Sequence, residues 1–383
     1  MLKIKGFKIP NYDNSTASIV NSVLAHFGAE PIHKPLKQVL NAARGADKIV
    51  FFIVDALGYN AVKTLPKQAF LRKWMQEKPV SAVFPPTTST SAVTFATGML
   101  PIEHGVLGYM QYIPEKNKVV NMLQFKTIKS GKPIKLNLQK LYPFRTVYQT
   151  LKKAGIMPFI LMQSKLKRTQ LSAKLNAGAK FVAYKTIPEM FTKLKRLISK
   201  KGKAYIYAYL PDYDSACHEY GPDAIITNLL LAYINNQFTH LARAHARKTL
   251  LIISADHGAI KTNPDKIIKY QQHPRLYSAL KAVSGEARIN YLHCKKGKKE
   301  FVHKYFRKKL AKHCYIVPSE EAIAKGLFGK GNVNPLVAER AGDFIMFCKK
   351  NKTMLDFDTP LIGHHGGISK QEMQVPLILY KFR

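Results

Sequence analysis

The sequence predicts an α/β fold with a mostly parallel central sheet flanked by helices. Two observations carry this expectation. Short runs of apolar, β-branched and aromatic residues recur at Ile49–Val54, Ala204–Leu210 and Thr249–Ser254. Such runs fit strands covered on both faces. They alternate with segments of helical length, and alternation of this kind builds parallel sheets through crossover helices.

The elements follow in order. Residues 14–45 look helical, with Asn14-Ser15-Thr16 a plausible cap. The strand at Ile49 ends on Asp55 and turns at Gly58, and a helix over 59–77 follows. A strand at Val80–Phe84 precedes the hydroxyl-rich loop Pro85–Ser91 and a helix over Ala92–Thr97 stopped by Gly98. Residues 109–142, lysine-rich with weak periodicity, read as an excursion over the surface. Strands at Pro158–Met162 and Lys180–Tyr184, a basic helix at 188–200, and a long helix at 224–247 complete the first two thirds. Beyond Lys261 the alternation loosens. The expected division is a catalytic core of residues 1–260 and 346–383, with 261–345 an inserted subdomain. A last strand covers Val375–Tyr380.

The 383 residues can bury a sizeable core. No apolar run reaches the roughly 18 residues a membrane span needs, and Met1–Gly6 lacks the apolar centre of a secretory signal. A cytoplasmic protein is the expectation. Cys217, Cys294, Cys314 and Cys348 are widely spaced and form no Cys-x-x-Cys pair, which points to free thiols rather than a zinc ribbon or a disulfide framework. The formal net charge is +38, a field that attracts phosphorylated substrates, nucleic acid or anionic membrane. The lysines are spread along the chain, as in a generally solvated basic surface. No aromatic-basic stripe or nucleic-acid motif accompanies them.

Three expected strands lead into aspartates, at Asp55, Asp214 and Asp256. In open parallel sheets, ligands collect at the carboxyl ends of strands. Asp214 and His218 are spaced to share one helical face. Asp256-His257 is followed by glycine, and His364-His365 is flanked by glycines that permit close backbone approach. Singly, each has an ordinary structural meaning: Asp55 as a helix cap, His257 as a core histidine, Asp214 and His218 as a surface pair. Their common position at strand ends argues for a shared site. Asp55, Asp214, His218, Asp256, His257 and one of His364 and His365 give three carboxylates and three imidazoles, a set suited to one or two divalent cations. Two such ions would clamp the oxygens of a phosphoryl transfer. The loop Thr87–Ser91 offers the nucleophile, and the helix after it favours anionic oxygens at its N-terminus.

These blocks resemble the alkaline phosphatase superfamily, in its branch of type I phosphodiesterases and nucleotide pyrophosphatases. The resemblance is carried by Val54-Asp55-Ala56-Leu57-Gly58, by Phe84-Pro85-Pro86-Thr87-Thr88 with Thr97-Gly98 and His104-Gly105, by Asp214 through Pro222, by Ala255-Asp256-His257-Gly258, and by Gly363–Gly367. It implies an alkaline-phosphatase-like sandwich with residues 261–345 capping the site. It also implies Thr88 as nucleophile, forming a phosphothreonyl or nucleotidyl-threonine intermediate. One metal would take Asp55, Asp256 and His257 beside Thr88, and the other Asp214, His218 and His365; both ions are usually zinc. Ser91 stands where the resemblance implies a phosphate-oxygen donor, and His364 is a further candidate for substrate contact. The expected activity is hydrolysis of phosphodiester or pyrophosphate bonds in small anionic substrates. The alternatives are phosphomonoester hydrolysis and nucleic-acid binding without turnover.

Overall fold

The computed structural model describes residues 9–167 and 170–382. The basic stretch Met1–Gly6 lies outside them. A six-stranded sheet forms the larger half of the molecule. Its order is Ile378–Lys381, Thr249–Ser254, Lys48–Val54, Ala204–Leu210, Met157–Gln163, Lys180–Tyr184. All neighbours are parallel except the last strand of the chain, which runs antiparallel to Thr249–Ser254. The three strands at its centre are buried along their whole length, which is why they read as unbroken apolar runs. Helices cover both faces and enclose the main core.

A second, seven-stranded sheet lies beside it, ordered Cys314–Pro318, Phe344–Cys348, Ile289–Cys294, Leu280–Gly285, Met110–Ile113, Lys118–Asn121, Lys126–Thr127. Its described pairs are antiparallel. This sheet corrects two expectations. Residues 109–142 are not a bare surface excursion: Met110–Ile113, Lys118–Asn121 and Lys126–Thr127 pair into the sheet and extend it through Gly285 and Met110. The inserted unit expected over 261–345 therefore takes in only part of this sheet, which also recruits the earlier segment and runs on to Cys348. Val120 and Met122 are buried from this segment, but the lysines between the apolar positions hide their alternation.

Proline and glycine redraw several helices. The stretch 14–45 becomes Thr16–His26 and Lys37–Ala43, separated by a segment holding Gly28, Pro31 and Pro35. The helix expected over 59–77 divides at Pro66 into Tyr59–Thr64 and Phe70–Lys73. Strand character after Val80 ends at Ser81. The helix placed at Ala92 already begins at Thr88. The final strand is two pieces: Gln374–Val375 pairs with Val80–Ser81, and Ile378–Lys381 closes the large sheet. No described helix is long and apolar enough to cross a membrane, and the four cysteines are free.

Candidate functional site

Asp55, Asp256 and the Asp214 helix all sit at the carboxyl edge of the large sheet. Parallel registry of Lys48–Val54 with both neighbouring strands brings their ends level. After Asp55 the chain turns through Ala56, held at a φ of +62°. Its amide donates to Asp256 Oδ1 at 3.2 Å, tying the two strand ends together. Gly58 and Gly258 back this junction. A Cβ on Gly258 would stand 2.0 Å from the Gln371 carbonyl and 2.9 Å from Gly58 Cα, so only glycine fits.

Thr88 is the first residue of the Thr88–Thr97 helix, which stops at Gly98 in the left-handed conformation. Its hydroxyl lies 3.4 Å from Asp55 Oδ2 and 3.3 Å from His257 Nε2. The Thr88 hydroxyl, two strand ends and a helix N-terminus therefore converge. Asp214 and His218 lie on the Asp212–Tyr220 helix, with Asp214 Oδ2 3.4 Å from His218 Nε2. The His365 ring stacks on His257 at 3.8 Å between centroids and is 5.2 Å from His218, so it joins the two halves of the cluster.

The histidines share one hydrogen-bonding arrangement. His257 Nδ1 contacts the Gly258 carbonyl at 3.1 Å, His218 Nδ1 the Gly363 carbonyl at 2.7 Å, and His365 Nδ1 the Pro86 carbonyl at 3.2 Å. A carbonyl only accepts, so Nδ1 is the donor, and a ring with its one proton there turns the Nε2 lone pair toward the cluster. For His257 that lone pair faces Asp55 Oδ1 at 3.3 Å and Asp256 Oδ2 at 3.5 Å. Acceptor opposite acceptor is unfavourable unless a cation lies between them. Asp55 Oδ1, Asp214 Oδ1 and Asp256 Oδ2 are buried and make no hydrogen bond among the described residues.

Ligand atoms of Asp214, His218 and His365, and of Asp55, Asp214 and His257, form two groups, each within 4.8 Å. The residues present thus fit divalent cations. Asp214 belongs to both groups and lies between the two expected ligand sets. Asp256 Oδ1 accepts from the Ala56 and His257 amides, leaving Oδ2 toward the cluster. Burial and the neighbouring Asp256 and Asp214 carboxylates push the Asp55 carboxyl well above its usual range. Burial, reinforced by His257 and His218, holds His365 well below the usual imidazole value.

A cavity of about 610 Å³ opens on this cluster, lined by Thr88, Asp214, His218 and His365 and, from the second sheet and its loops, Tyr109 and Glu286. The two expected substrate contacts separate here. His364 lines the cavity, with Nδ1 2.7 Å from Thr262 Oγ1. Ser91 does not face it: the side chain is fully buried and donates to the Asp256 carbonyl at 3.2 Å, one helical turn behind Thr88. Ser91 steadies the Asp256 turn, which corrects its assignment as a phosphate-oxygen donor.

Two participants escape a reading based on strand ends. Tyr209 donates its hydroxyl to Asp55 Oδ2. The period-two run Tyr205, Tyr207, Tyr209 is the signal that could have found it, since parallel pairing sets Tyr209 opposite Ile53. Glu286 accepts from the Tyr109 amide at 2.6 Å, and burial raises its carboxyl to about 7. It sits in a segment without motif character, and nothing in the sequence marks it.

A family model described as type I phosphodiesterase / nucleotide pyrophosphatase matches residues 49–367. The fold and site together define a phosphoester hydrolase of the alkaline phosphatase superfamily. The chain belongs to the type I phosphodiesterase / nucleotide pyrophosphatase family within it, whose members act on phosphoric ester bonds. No curated protein sequence matches the chain. Among solved structures, murine ectonucleotide pyrophosphatase/phosphodiesterase 5, in an inactive form with AMP, superposes with a TM-score of 0.67 at 16% identity over 87% of each chain. The human protein of the same name gives 0.66 at 16% identity over 88% of each chain. Phosphonoacetate hydrolase from Sinorhizobium meliloti 1021, with phosphonoformate, gives 0.61 at 16% identity over 88% of this chain and 90% of its own. At these identities the likeness establishes the shared architecture.

Proposed function

We propose that the protein hydrolyses phosphodiester or pyrophosphate bonds of nucleotide-type substrates with two divalent cations, using Thr88 as nucleophile. The observation that carries this reading is the position of the Thr88 hydroxyl. It stands at a helix N-terminus and on a cavity wall, within 3.4 Å of Asp55 and 3.3 Å of His257. The family match and the AMP complex of the murine relative support the substrate class.

Asp55 and His257, with Asp256 Oδ2 beside them, would hold one cation, and Asp214, His218 and His365 the other; Asp214 falls in both groups of ligand atoms. Carboxylate and imidazole donors without sulfur suit zinc. The cations would neutralise phosphoryl oxygens and make the Thr88 hydroxyl and a water nucleophilic near neutral pH. The protein residues do the rest. The Nδ1 bonds to backbone carbonyls aim His257, His218 and His365. Tyr209 fixes one oxygen of Asp55, and Thr88 can donate its proton toward that same atom, Asp55 Oδ2. Attack by Thr88 Oγ1 forms a bond to phosphorus and breaks the bond to the leaving oxygen. Water then cleaves the resulting threonine ester and restores the hydroxyl. Free amides in the first turn of the Thr88–Thr97 helix are available to the non-bridging oxygens.

The test is Thr88→Ala in zinc-supplemented protein, assayed with bis(p-nitrophenyl) phosphate and the p-nitrophenyl ester of a nucleotide. We expect a loss of roughly 1000-fold or more with cation binding retained. Acid quenching of the wild-type reaction should trap a phosphorylated or nucleotidylated peptide containing Thr88. Full turnover by Thr88→Ala sinks the reading.

A further inference from the structure

Two of the four free cysteines face each other across the second sheet. Cys314 opens Cys314–Pro318, the strand at the edge of that sheet. Antiparallel pairing sets it directly opposite Cys348, the last residue of Phe344–Cys348. The neighbouring hydrogen bonds fix which kind of pair this is. One step outside it, the Lys349 amide donates to the His313 carbonyl at 2.8 Å. The Cys348 amide turns the other way, to the Arg288 carbonyl at 2.9 Å. Cys314 and Cys348 therefore form a non-hydrogen-bonded pair, the closer of the two antiparallel arrangements, with α-carbons about 4.5 Å apart. That separation lies within the range of about 4.4 to 6.8 Å that a disulfide spans. The side chains meet as well, since the two thiols share a hydrogen bond.

The other cysteines have no such neighbour: Cys217 lies on the Asp212–Tyr220 helix, and Leu280 stands opposite Cys294. A metal is a poor guest for the pair. Among the described residues, neither group of ligand atoms close enough to share an ion includes a cysteine. Both thiols are buried, packed in one cluster with Tyr270, Leu310 and Met354. The hydrogen bond between them, and then burial, hold the Cys314 thiol well above its usual range, so it reacts slowly while the sheet is closed. Access comes from the edge strand, which has a neighbour on one side only and can open locally.

We infer that Cys314 and Cys348 are a site of reversible oxidation to a cross-strand disulfide, with a low-molecular-weight disulfide as the oxidant. One thiolate attacks a sulfur of the oxidant, which forms a mixed disulfide and releases one reagent thiol. The second thiolate attacks the protein sulfur of that mixed disulfide and releases the other. The pair gives up two protons and two electrons, and the reagent carries them away as two thiols. The new bond closes residues 315–347 into a loop and pins the edge strand, which restricts the unfolded chain. It also fastens the strand end from which the chain reaches the Lys350 and Lys352 carbonyls, the acceptors of the Arg288 guanidinium. Neither cysteine lines the catalytic cavity, so the inference stands or falls independently of the proposed reaction.

The experiment treats the reduced full chain with hydroxyethyl disulfide at mildly alkaline pH, then alkylates it in denaturant and maps its peptides by mass. We expect the peptides holding Cys314 and Cys348 to appear linked, with the loss of two hydrogens, and to separate after dithiothreitol. The linked protein should melt about 5 °C above the reduced protein. That gain should vanish in Cys314→Ala/Cys348→Ala and persist in Cys294→Ala, with hydrolysis of a small soluble diester unchanged in both. Three results overturn the inference: Cys314 and Cys348 stay as thiols, they carry only reagent adducts or link to Cys217 or Cys294, or the linked protein melts no higher than the reduced one.

Discussion

Two clusters of buried charge lie in this molecule, and they are completed differently. In one, Arg288 and Glu372 pair with Nε to Oε1 at 2.7 Å and a second contact at 3.1 Å. The remaining guanidinium donors meet the Lys352 and Lys350 carbonyls, and the carboxylate also accepts from the Gly367 and Ser369 amides. That cluster needs nothing further. In the other, Asp55, Asp214 and Asp256 crowd together, each with a buried oxygen that makes no hydrogen bond among the described residues. Burial without satisfaction is costly. A satisfied ion pair holds parts of the fold together; an unsatisfied one is poised for a guest. Arg288 and Glu372 link the Ile289–Cys294 strand to the loop carrying His365, so the complete cluster braces the incomplete one.

Substitutions test this contrast. The largest effect falls on Asp55→Asn, which should cost roughly 100- to 1000-fold in zinc-supported hydrolysis and lower bound zinc measured by mass spectrometry. The metal-free variant should melt no lower than the metal-free wild type, because a repelling carboxylate is gone. Retained zinc and turnover would return Asp55 to a simple cap. Glu372→Gln should do the reverse, destabilising the fold by about 3 kcal/mol in denaturant titrations with or without zinc. A fall in the metal-free melting temperature of Asp55→Asn comparable to that of Glu372→Gln would erase the distinction.

The dependence on pH sharpens it. The folded Asp55 and Asp214 carboxyls titrate above the ordinary value of 3.8, Asp55 because of burial and then Asp256 and Asp214, and Asp214 chiefly because of burial. Without cation, their contribution to stability is present below the unfolded value and is lost as pH rises through the raised folded values. A bound cation favours the ionised forms and removes that loss. The melting-temperature gap between zinc-loaded and chelator-treated protein should therefore widen from acid to neutral pH, as followed by differential scanning fluorimetry. A constant gap argues against carboxylate crowding. The smallest effect belongs to Ser91→Ala, which loses one neutral hydrogen bond to the Asp256 carbonyl, about 1 kcal/mol, and leaves hydrolysis nearly intact. A drop in turnover beyond about tenfold would put Ser91 back on the substrate.

The sequence reveals the parallel sheet, because Lys48–Val54, Ala204–Leu210 and Thr249–Ser254 are apolar on both faces and end in polar turns. The meeting of Asp55, Asp256 and His257 is legible for the same reason. Strand ends in one registered sheet have few places to go. Thr88, by contrast, stands out from the Thr87–Ser91 loop only through the family resemblance. The second sheet is much harder to see. Its central strands Met110–Ile113, Ile289–Cys294 and Phe344–Cys348 are buried almost throughout, but the outer strands Lys118–Asn121 and Lys126–Thr127 are short and open on a lysine. Phe344–Cys348 also straddles the expected boundary at residue 345. Tyr209 and Glu286 are harder still, since their roles arise from partners 154 and 177 residues away.

That separation has a consequence for the protein's synthesis. The ligand candidates run from Asp55 to His365, and the loop bearing His365 is held by Glu372. A ribosome must deliver the chain as far as His365 before the Asp214, His218 and His365 group can close, whereas Asp55, Asp214 and His257 are all made by residue 257. On the proposed two-cation reading, completion of the His365 site is therefore a late event, coupled to docking of the loop that Glu372 holds.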